Sequence, residues 1–139
     1  MEENKSSKGF QEIAHTADLA LQVWGRNLTI LFSRAARGML KLMEITKSGK
    51  KIFTKKIDLH EDDLESLLVE FLSSILEDVE KNQIVYDDFN LHVTGSSLSG
   101  ILYGHCLKTY KREIKAVTFH NLKIIYDGKL YQTALVFDI

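Results

Sequence analysis

A regular apolar spacing in the middle of the chain constrains its fold more than any other feature. Apolar residues recur at intervals of three and four positions: Leu64, Leu67, Leu68, Phe71, Leu72, Ile75, Leu76 and Val79. This spacing places them on one face of an α-helix. Glu61, Asp62 and Asp63 are predicted to open this helix, because acids in the first turn complement the positive end of the helix dipole. The pattern predicts an amphipathic helix running to about Lys81 that must bury its apolar face.

A second apolar stripe predicts an earlier helix. Its members share the same spacing: Leu28, Leu31, Phe32, Ala35, Ala36, Met39, Leu42 and Met43. Asn27 precedes them and suits an N-cap, because its side-chain oxygen can accept a hydrogen bond from a free amide of the first turn. The sequence therefore predicts a helix from about Leu28 to Met43.

The segments around these helices are rich in β-branched and aromatic residues and predict strands. One predicted strand follows a Ser48-Gly49 loop and ends near Leu59. The other predicted strands are 9–13, 18–24, 84–86, 89–94, 101–109, 122–126 and 129–139. Asp127-Gly128 favours a two-residue hairpin turn, whereas residues 110–121 fit either a helical turn or an irregular bend. We expect an α+β fold with two main helices packed on a largely antiparallel sheet.

Composition limits the class of protein. The 139 residues suit one domain over 9–139, preceded by a polar segment, 1–8, that we expect to be disordered. A net charge of −1 argues against a protein whose main task is binding nucleic acid. No apolar run approaches a membrane span and no secretory signal is visible. Cys106 is the only cysteine, which excludes an intrachain disulfide and favours a cytoplasmic protein with a buried, inert thiol.

Charge is segregated along the chain. Between Ile57 and Asn90 the only basic residue is Lys81, and the acids are Asp58, Glu61, Asp62, Asp63, Glu65, Glu70, Glu77, Asp78, Glu80, Asp87 and Asp88. The segment before it, 47–56, is basic. Solvated helix and loop faces account for such a pattern, and a charged docking surface for a partner is the alternative.

The end of the chain is the first candidate site. An apolar and β-branched run leads directly to Asp138 and Ile139, which predicts a strand that reaches the terminus. The Asp138 side chain and the Ile139 α-carboxylate are then adjacent and repel each other unless a cation lies between them. Hard divalent cations bind such oxygen clusters. The alternative is that Asp138 simply faces water at a strand end.

Two further segments contain candidate residues. His15-Thr16-Ala17-Asp18 joins two predicted strands, where it fits either a functional site or a turn with side-chain caps. Lys115 lies in an otherwise apolar run and is either a surface lysine or a partner of a carboxylate. No Ser-His-Asp order, phosphate-binding loop or dinucleotide motif occurs in the sequence.

These segments, taken in order, resemble a known family. The ordered set is 15–18, the helix pattern Leu31-Phe32 with Ala35-Ala36 and Gly38, then 115–120, and finally 136–139. In this order and spacing the chain closely resembles the archease family from Phe10 to Ile139. The resemblance implies an archease-like single domain that is not itself an enzyme. It implies an activator of an RtcB-type RNA ligase in tRNA splicing, which promotes guanylylation of the ligase and multiple turnover.

The resemblance also assigns roles to residues. It implies that Asp18, Asp138 and the Ile139 carboxylate bind a divalent metal ion, with Ca²⁺ favoured over Mg²⁺ or Mn²⁺, at an acidic tip. It implies that Lys115 contacts the partner or its nucleotide, and it implies no catalytic residue. The expected partner is the ligase, without stable nucleic-acid binding or a membrane. A general chaperone and a metal-dependent hydrolase, in which two carboxylates and a lysine activate water, remain as alternatives.

Overall fold

The structure is a computed structural model that describes residues 7–13 and 18–139. The elements in chain order are β1 Phe10–Ile13, β2 Leu19–Gly25, α1 Leu28–Leu42, β3 Thr46–His60, α2 Leu64–Glu77, a π-helical segment Asp78–Asn82, β4 Ile84–Thr94, β5 Ser97–Thr109, β6 Ala116–Val117, β7 Ile125–Tyr126 and β8 Tyr131–Asp138. The predicted α+β class with two main helices and antiparallel strands is confirmed.

The described strands form two antiparallel sheets where the sequence led us to expect one. The first has the order β1-β2-β8-β6, and β7 also pairs with β8. The second has the order β3-β5-β4. Helix α1 packs against β2 of the first sheet and β4 of the second, and α2 packs against β6 and β3. The helices therefore lie between the sheets, each contacting both.

Both helices begin at side-chain caps. The Asn27 side chain accepts a hydrogen bond from the Ile30 amide at 2.8 Å, as predicted. Helix α2 begins after Asp63, whose side chain accepts from the Ser66 amide at 2.7 Å, so the prediction that Glu61, Asp62 and Asp63 form its first turn is wrong. The hydrogen bond from the Ser66 backbone lowers the pKa of Asp63, because it stabilises the ionised form.

The apolar stripes meet in one core. Phe32 of α1 stacks on Phe71 of α2 with ring centroids 6.1 Å apart. Phe71 in turn meets the edge of Phe89 on β4 at 6.3 Å. These aromatic contacts join both helices to the second sheet, while Leu135 and Phe137 close the core from the first sheet.

Several predicted boundaries are wrong. The expected Ser48-Gly49 loop lies within β3, where the pairing with β5 is irregular between Ser48 and Phe53. The two strands predicted over 84–86 and 89–94 are one strand, β4, with a register shift between Tyr86 and Asp88. Sequence alone does not distinguish a polar bulge from a turn, since both interrupt the apolar alternation.

The last hairpin is also shifted from its prediction. The Asp127 amide donates to the Leu130 carbonyl at 3.1 Å, so the central residues are Gly128 and Lys129 and not Asp127-Gly128. Asp127 instead accepts from the amides of Lys129 and Leu130 at 2.9 and 2.8 Å. The strand predicted over 122–126 shortens to β7, and the ambiguous segment 110–121 is irregular apart from β6.

The sequence also predicts a disordered N-terminal segment and the absence of a membrane span. The predicted disordered segment, 1–8, falls mostly on residues 1–6, which lie outside the described residues. The boundary at residue 9 stays a prediction. Among the helices of the described ranges, none is long and apolar enough to cross a membrane.

We expect Gly104→Ala to destabilise the fold. A Cβ at this position in β5 would lie 2.6 Å from the Val85 carbonyl oxygen and 2.8 Å from the Tyr86 ring, so buried backbone has to move. Overpacking of this kind costs roughly 1–3 kcal/mol. Gly49→Ala is the matched control, because a Cβ there meets nothing within 4 Å. Urea unfolding of both variants measures the difference, and equal midpoints would contradict the close approach.

Candidate functional site

The ends of three strands bring candidate residues to one end of the first sheet. Asp18 directly precedes β2, Asp138 is the last residue of β8, and Lys115 directly precedes β6. Strand β8 lies between the other two, because it pairs with β2 on one side and with β6 on the other. Residues far apart in the sequence, such as Asp18 and Asp138, therefore lie at the ends of neighbouring strands.

The register relates Asp18 to Asp138. Leu19 of β2 is opposite Phe137 of β8, and both are buried in the core. Asp18 and Asp138 directly follow this pair at the end of the ladder, so they lie at the same end of the first sheet. Side chains alternate between the faces of a strand, so Asp138 belongs to the face opposite that of Phe137, and it is exposed.

Lys115 is fixed through its backbone and exposed through its side chain. Its amide donates to the Asp138 carbonyl at 2.7 Å. Ile114 and Val117 are buried at 5% and 8% exposure, whereas Lys115 is exposed, so the apolar run points inward around an outward lysine. Lys115 also lines a small cavity of about 80 Å³ together with Glu80 and Glu113. The backbone of Lys115 is thus held beside Asp138, and its side chain lines the cavity next to the π-helical segment.

Other candidates lie elsewhere or cannot be placed. His15, Thr16 and Ala17 fall outside the described residues. His120 is exposed, and its amide donates to Thr118 Oγ1 at 3.2 Å within a turn. Cys106 is half-buried on β5. Within 7–13 and 18–139, no group of three or more His, Cys, Asp or Glu side chains is arranged to hold a metal.

A buried polar network lies beside this corner and was missed by the sequence analysis. Asp78, only 6% exposed, accepts hydrogen bonds from Lys55 Nζ at 2.8 Å, Tyr86 Oη at 2.7 Å and Asn82 Nδ2 at 2.8 Å. Burial alone would raise the pKa of Asp78, but the donors from Lys55, Tyr86 and Asn82 outweigh it and the pKa is lowered. Burial, and then the hydrogen bond to Asp78, raise the pKa of Tyr86.

Two members of this network, Asp78 and Asn82, belong to the π-helical segment that follows α2. Val79 and Glu80 of this segment line the same small cavity as Lys115. π-helical turns occur often at functional sites. One sequence signal pointed to Asp78: it follows Phe71 by seven residues and Ile75 by three, so it lies on the apolar stripe and not on the solvated acidic face.

This combination of elements defines a small α+β protein built from two capped helices between two antiparallel sheets, with acidic residues and a lysine at one sheet end. The sequence profile of the archease protein family matches residues 10–139. Protein archease from Methanosarcina barkeri is 30% identical over 146 residues, covering 98% of this chain and 99% of that protein. The chain therefore belongs to the archease family.

Other relatives and solved structures agree with this assignment. Protein archease from Sulfurisphaera tokodaii is 29% identical, covering 94% of this chain and 98% of that protein. The solution structure of Methanobacterium thermoautotrophicum protein 1598 superposes with a TM-score of 0.71 at 22% identity, covering 95% and 99% of the two chains. The crystal structure of an archease, described as a possible chaperone, from Thermotoga maritima gives 0.70 at 23% identity, covering 100% and 99%. These two structures show the same fold.

We expect Asp78→Asn to lower stability in a pH-dependent way. Removing the charge leaves Lys55 and Tyr86 without their anionic acceptor, which costs about 2–3 kcal/mol at neutral pH. The folded-state pKa of Asp78 is below its ordinary value of 3.8, so its contribution is present above that value and is lost as pH falls through the folded pKa.

Urea unfolding of wild type and variant between pH 7 and pH 2 measures this effect. The difference between them should shrink below about pH 3.8. Asp58→Asn is the control, because Asp58 is exposed on β3 and its replacement should have little effect. A difference for Asp78→Asn that stays constant with pH would contradict the ionised network.

Proposed function

We propose that this protein is a non-enzymatic activator of an RtcB-type RNA ligase in tRNA splicing. One observation supports this most directly. In a chain of the archease family, Asp18, Asp138 and Lys115 come to one end of the first sheet through the pairing of β2, β8 and β6. The charged end of the first sheet would contact the ligase. The ligase itself would carry out the guanylylation and the joining of RNA ends.

The donor set at this tip fits a hard cation. Asp18 and Asp138 supply carboxylate oxygens, and the resemblance adds the carboxylate of Ile139 beside them. Oxygen donors without sulfur or imidazole suit Ca²⁺, and also Mg²⁺ or Mn²⁺, better than zinc. Since no third acidic side chain joins the two in the described ranges, the terminal carboxylate is the part of the site that most needs testing. A bound cation would offset the repulsion between the carboxylates and hold the tip in one arrangement.

Lys115 is the second element of the proposal. Its amide donates to the Asp138 carbonyl, so Lys115 lies at the same end of the first sheet as the two aspartates. A lysine in this position supplies a compact point charge to a phosphate or carboxylate of the partner complex. The Glu80 and Glu113 carboxylates that line the neighbouring cavity would orient it electrostatically.

A general chaperone is the second candidate, because the Thermotoga maritima relative is described as a possible chaperone. A few large apolar side chains are exposed, including Ile125 and Tyr126 on β7, Phe119 after β6 and Ile139 after β8, at 51–58% exposure. Suppression of aggregation of an unfolded client would favour this candidate. A hydrolase is less well supported, because the cavity at Lys115 is about 80 Å³, far below the roughly 300–1,000 Å³ of ligand pockets.

A short C-terminal extension should abolish activation. Adding residues after Ile139 converts its carboxylate into a neutral amide and removes one proposed ligand. We expect Ca²⁺ binding by calorimetry to weaken at least about tenfold, or 1.4 kcal/mol, with loss of ligase guanylylation. The control carries the same extension at the N-terminus. Full activation by the C-terminally extended chain would overturn the role of the terminal carboxylate.

Lys115→Ala should reduce activation without unfolding the protein. The side chain is exposed, so its removal should change the free energy of unfolding by less than about 0.5 kcal/mol. Guanylylation of the ligase and the thermal midpoint are measured together, with Lys108→Ala as an exposed control on β5. Normal activation by Lys115→Ala would make Lys115 an ordinary surface charge, and a parallel fall in midpoint and activity would make its role structural.

A further inference from the structure

A second, oppositely charged surface lies on the other side of the segment that leads to Lys115. It is formed by two adjoining cavities of about 910 and 490 Å³ that share Lys8, Phe10, Lys41 and Glu44. We name this surface the basic groove. It runs along the C-terminal half of α1, between β1 and the irregular parts of β3 and β4. None of the residues assigned to the acidic tip lines it.

Basic side chains dominate the lining of the groove. They are Lys8, Arg37, Lys41, Lys47, Lys111 and Arg112, against the acids Glu12, Glu44 and Asp87. Three of the cations are already in ion pairs: Arg112 with Glu12 at 3.3 Å, Lys47 with Asp87, and Arg37 with Asp88 beside the groove at 3.3 Å. Six cations against the three lining acids and Asp88 still leave an excess of positive charge in a chain whose net charge is −1. Such concentration on one concave surface favours an anionic ligand.

Arg37 is held in place by a backbone carbonyl, a carboxylate and an aromatic ring. Its Nη1 donates to the Asp87 carbonyl at 2.8 Å, and its Nη2 meets Asp88 Oδ1 at 3.3 Å. The guanidinium also lies 5.3 Å from the centroid of the Phe89 ring. These contacts fix the planar group while the side chain stays 45% exposed. A guanidinium fixed in this way loses little conformational entropy when its remaining donors bind a phosphate.

The C-terminus of α1 does not oppose an anion here. A helix C-terminus presents free carbonyl groups, which repel negative charge. In this structure the Met43 carbonyl accepts hydrogen bonds from the Lys111 and Arg112 amides at 3.0 and 3.2 Å. Arg112 Nη1 also lies 3.4 Å from the Leu42 carbonyl. The segment 111–112 therefore caps the helix and places two more cations at the groove.

The floor of the groove is apolar. Phe10 and Ile45, both half-buried, line the larger cavity together with Leu40 and Val85, which are 8% and 4% exposed. Its volume falls within the range of small-molecule sites, which are mostly apolar with a few placed polar groups. A bare inorganic anion would leave this floor unused, and a purely acidic peptide would have nothing to bury against it.

We propose that the basic groove binds a phosphate ester that has a planar apolar body, with phosphates on Arg37, Lys41 and Lys111 and the body on the apolar floor. The site does not depend on the divalent cation or on the ligase partner. The proposal is therefore independent of the function proposed above.

The test is calorimetric titration of the isolated chain with ATP in the presence of a chelator, so that the acidic tip binds no metal. We expect a dissociation constant on the order of 0.1 mM, and at least about tenfold weaker binding of tripolyphosphate, because it lacks the apolar body. The Lys41→Glu/Lys111→Glu double variant should bind ATP at least about tenfold more weakly. Both lysines are exposed, so the fold should be retained, which circular dichroism checks.

The control is Lys123→Glu/Lys129→Glu, which changes net charge equally at exposed positions near the opposite edge of the first sheet. Unchanged ATP binding by the control, with loss in the groove variant, supports the proposal. No binding at millimolar ATP, equal loss in both variants, or equal affinity for tripolyphosphate would each overturn it. A polyglutamate peptide that displaces ATP at equal concentration would assign the groove to an acidic protein segment instead.

Discussion

The pairing of β8 with neighbours on both sides is the interaction on which the rest of the structure depends. β2 pairs with it from Leu19 to Gly25, while β6 and β7 pair with its other edge. Leu135 and Phe137 contribute buried side chains to the core, and the next residue, Asp138, belongs to the opposite face. A slip of one residue would exchange these faces. Core packing therefore fixes the register that brings Asp18 towards Asp138 and attaches Lys115 beside them.

The features that sequence predicted well are local ones. Helix α1 follows from its apolar spacing and from Asn27, because helix formation and capping depend on residues three or four positions apart. The errors arose where pairing between distant strands decides the outcome. Asp87 interrupts the alternation of β4, yet the strand continues because β5 keeps pairing on both sides of the shift. The last turn moved by one residue because the Asp127 side chain caps the turn from its first position.

The candidate site was accessible to sequence only in part. The position of Asp138 at the end of a β-strand follows from the local pattern, but its relation to Asp18 and Lys115 came from resemblance, since local pattern does not specify which strands pair. Asp78 shows the opposite case. Its position on the apolar stripe was visible, but the donors that allow a buried carboxylate, Lys55 and Tyr86, lie on β3 and β4. Only the assembled sheet shows that the charge is satisfied rather than solvated.

The irregular segment between β5 and β6 connects the two charged surfaces. Lys111 and Arg112 cap α1 and line the basic groove, and three residues later the Lys115 amide binds the Asp138 carbonyl. Backbone hydrogen bonds hold this segment at Lys111 and Arg112 and again at Lys115. A shift of either surface would therefore strain these hydrogen bonds. The buried Ile114 anchors the segment between them. The segment therefore holds the cations that line the groove and the residues at the end of the first sheet at separate places on the protein.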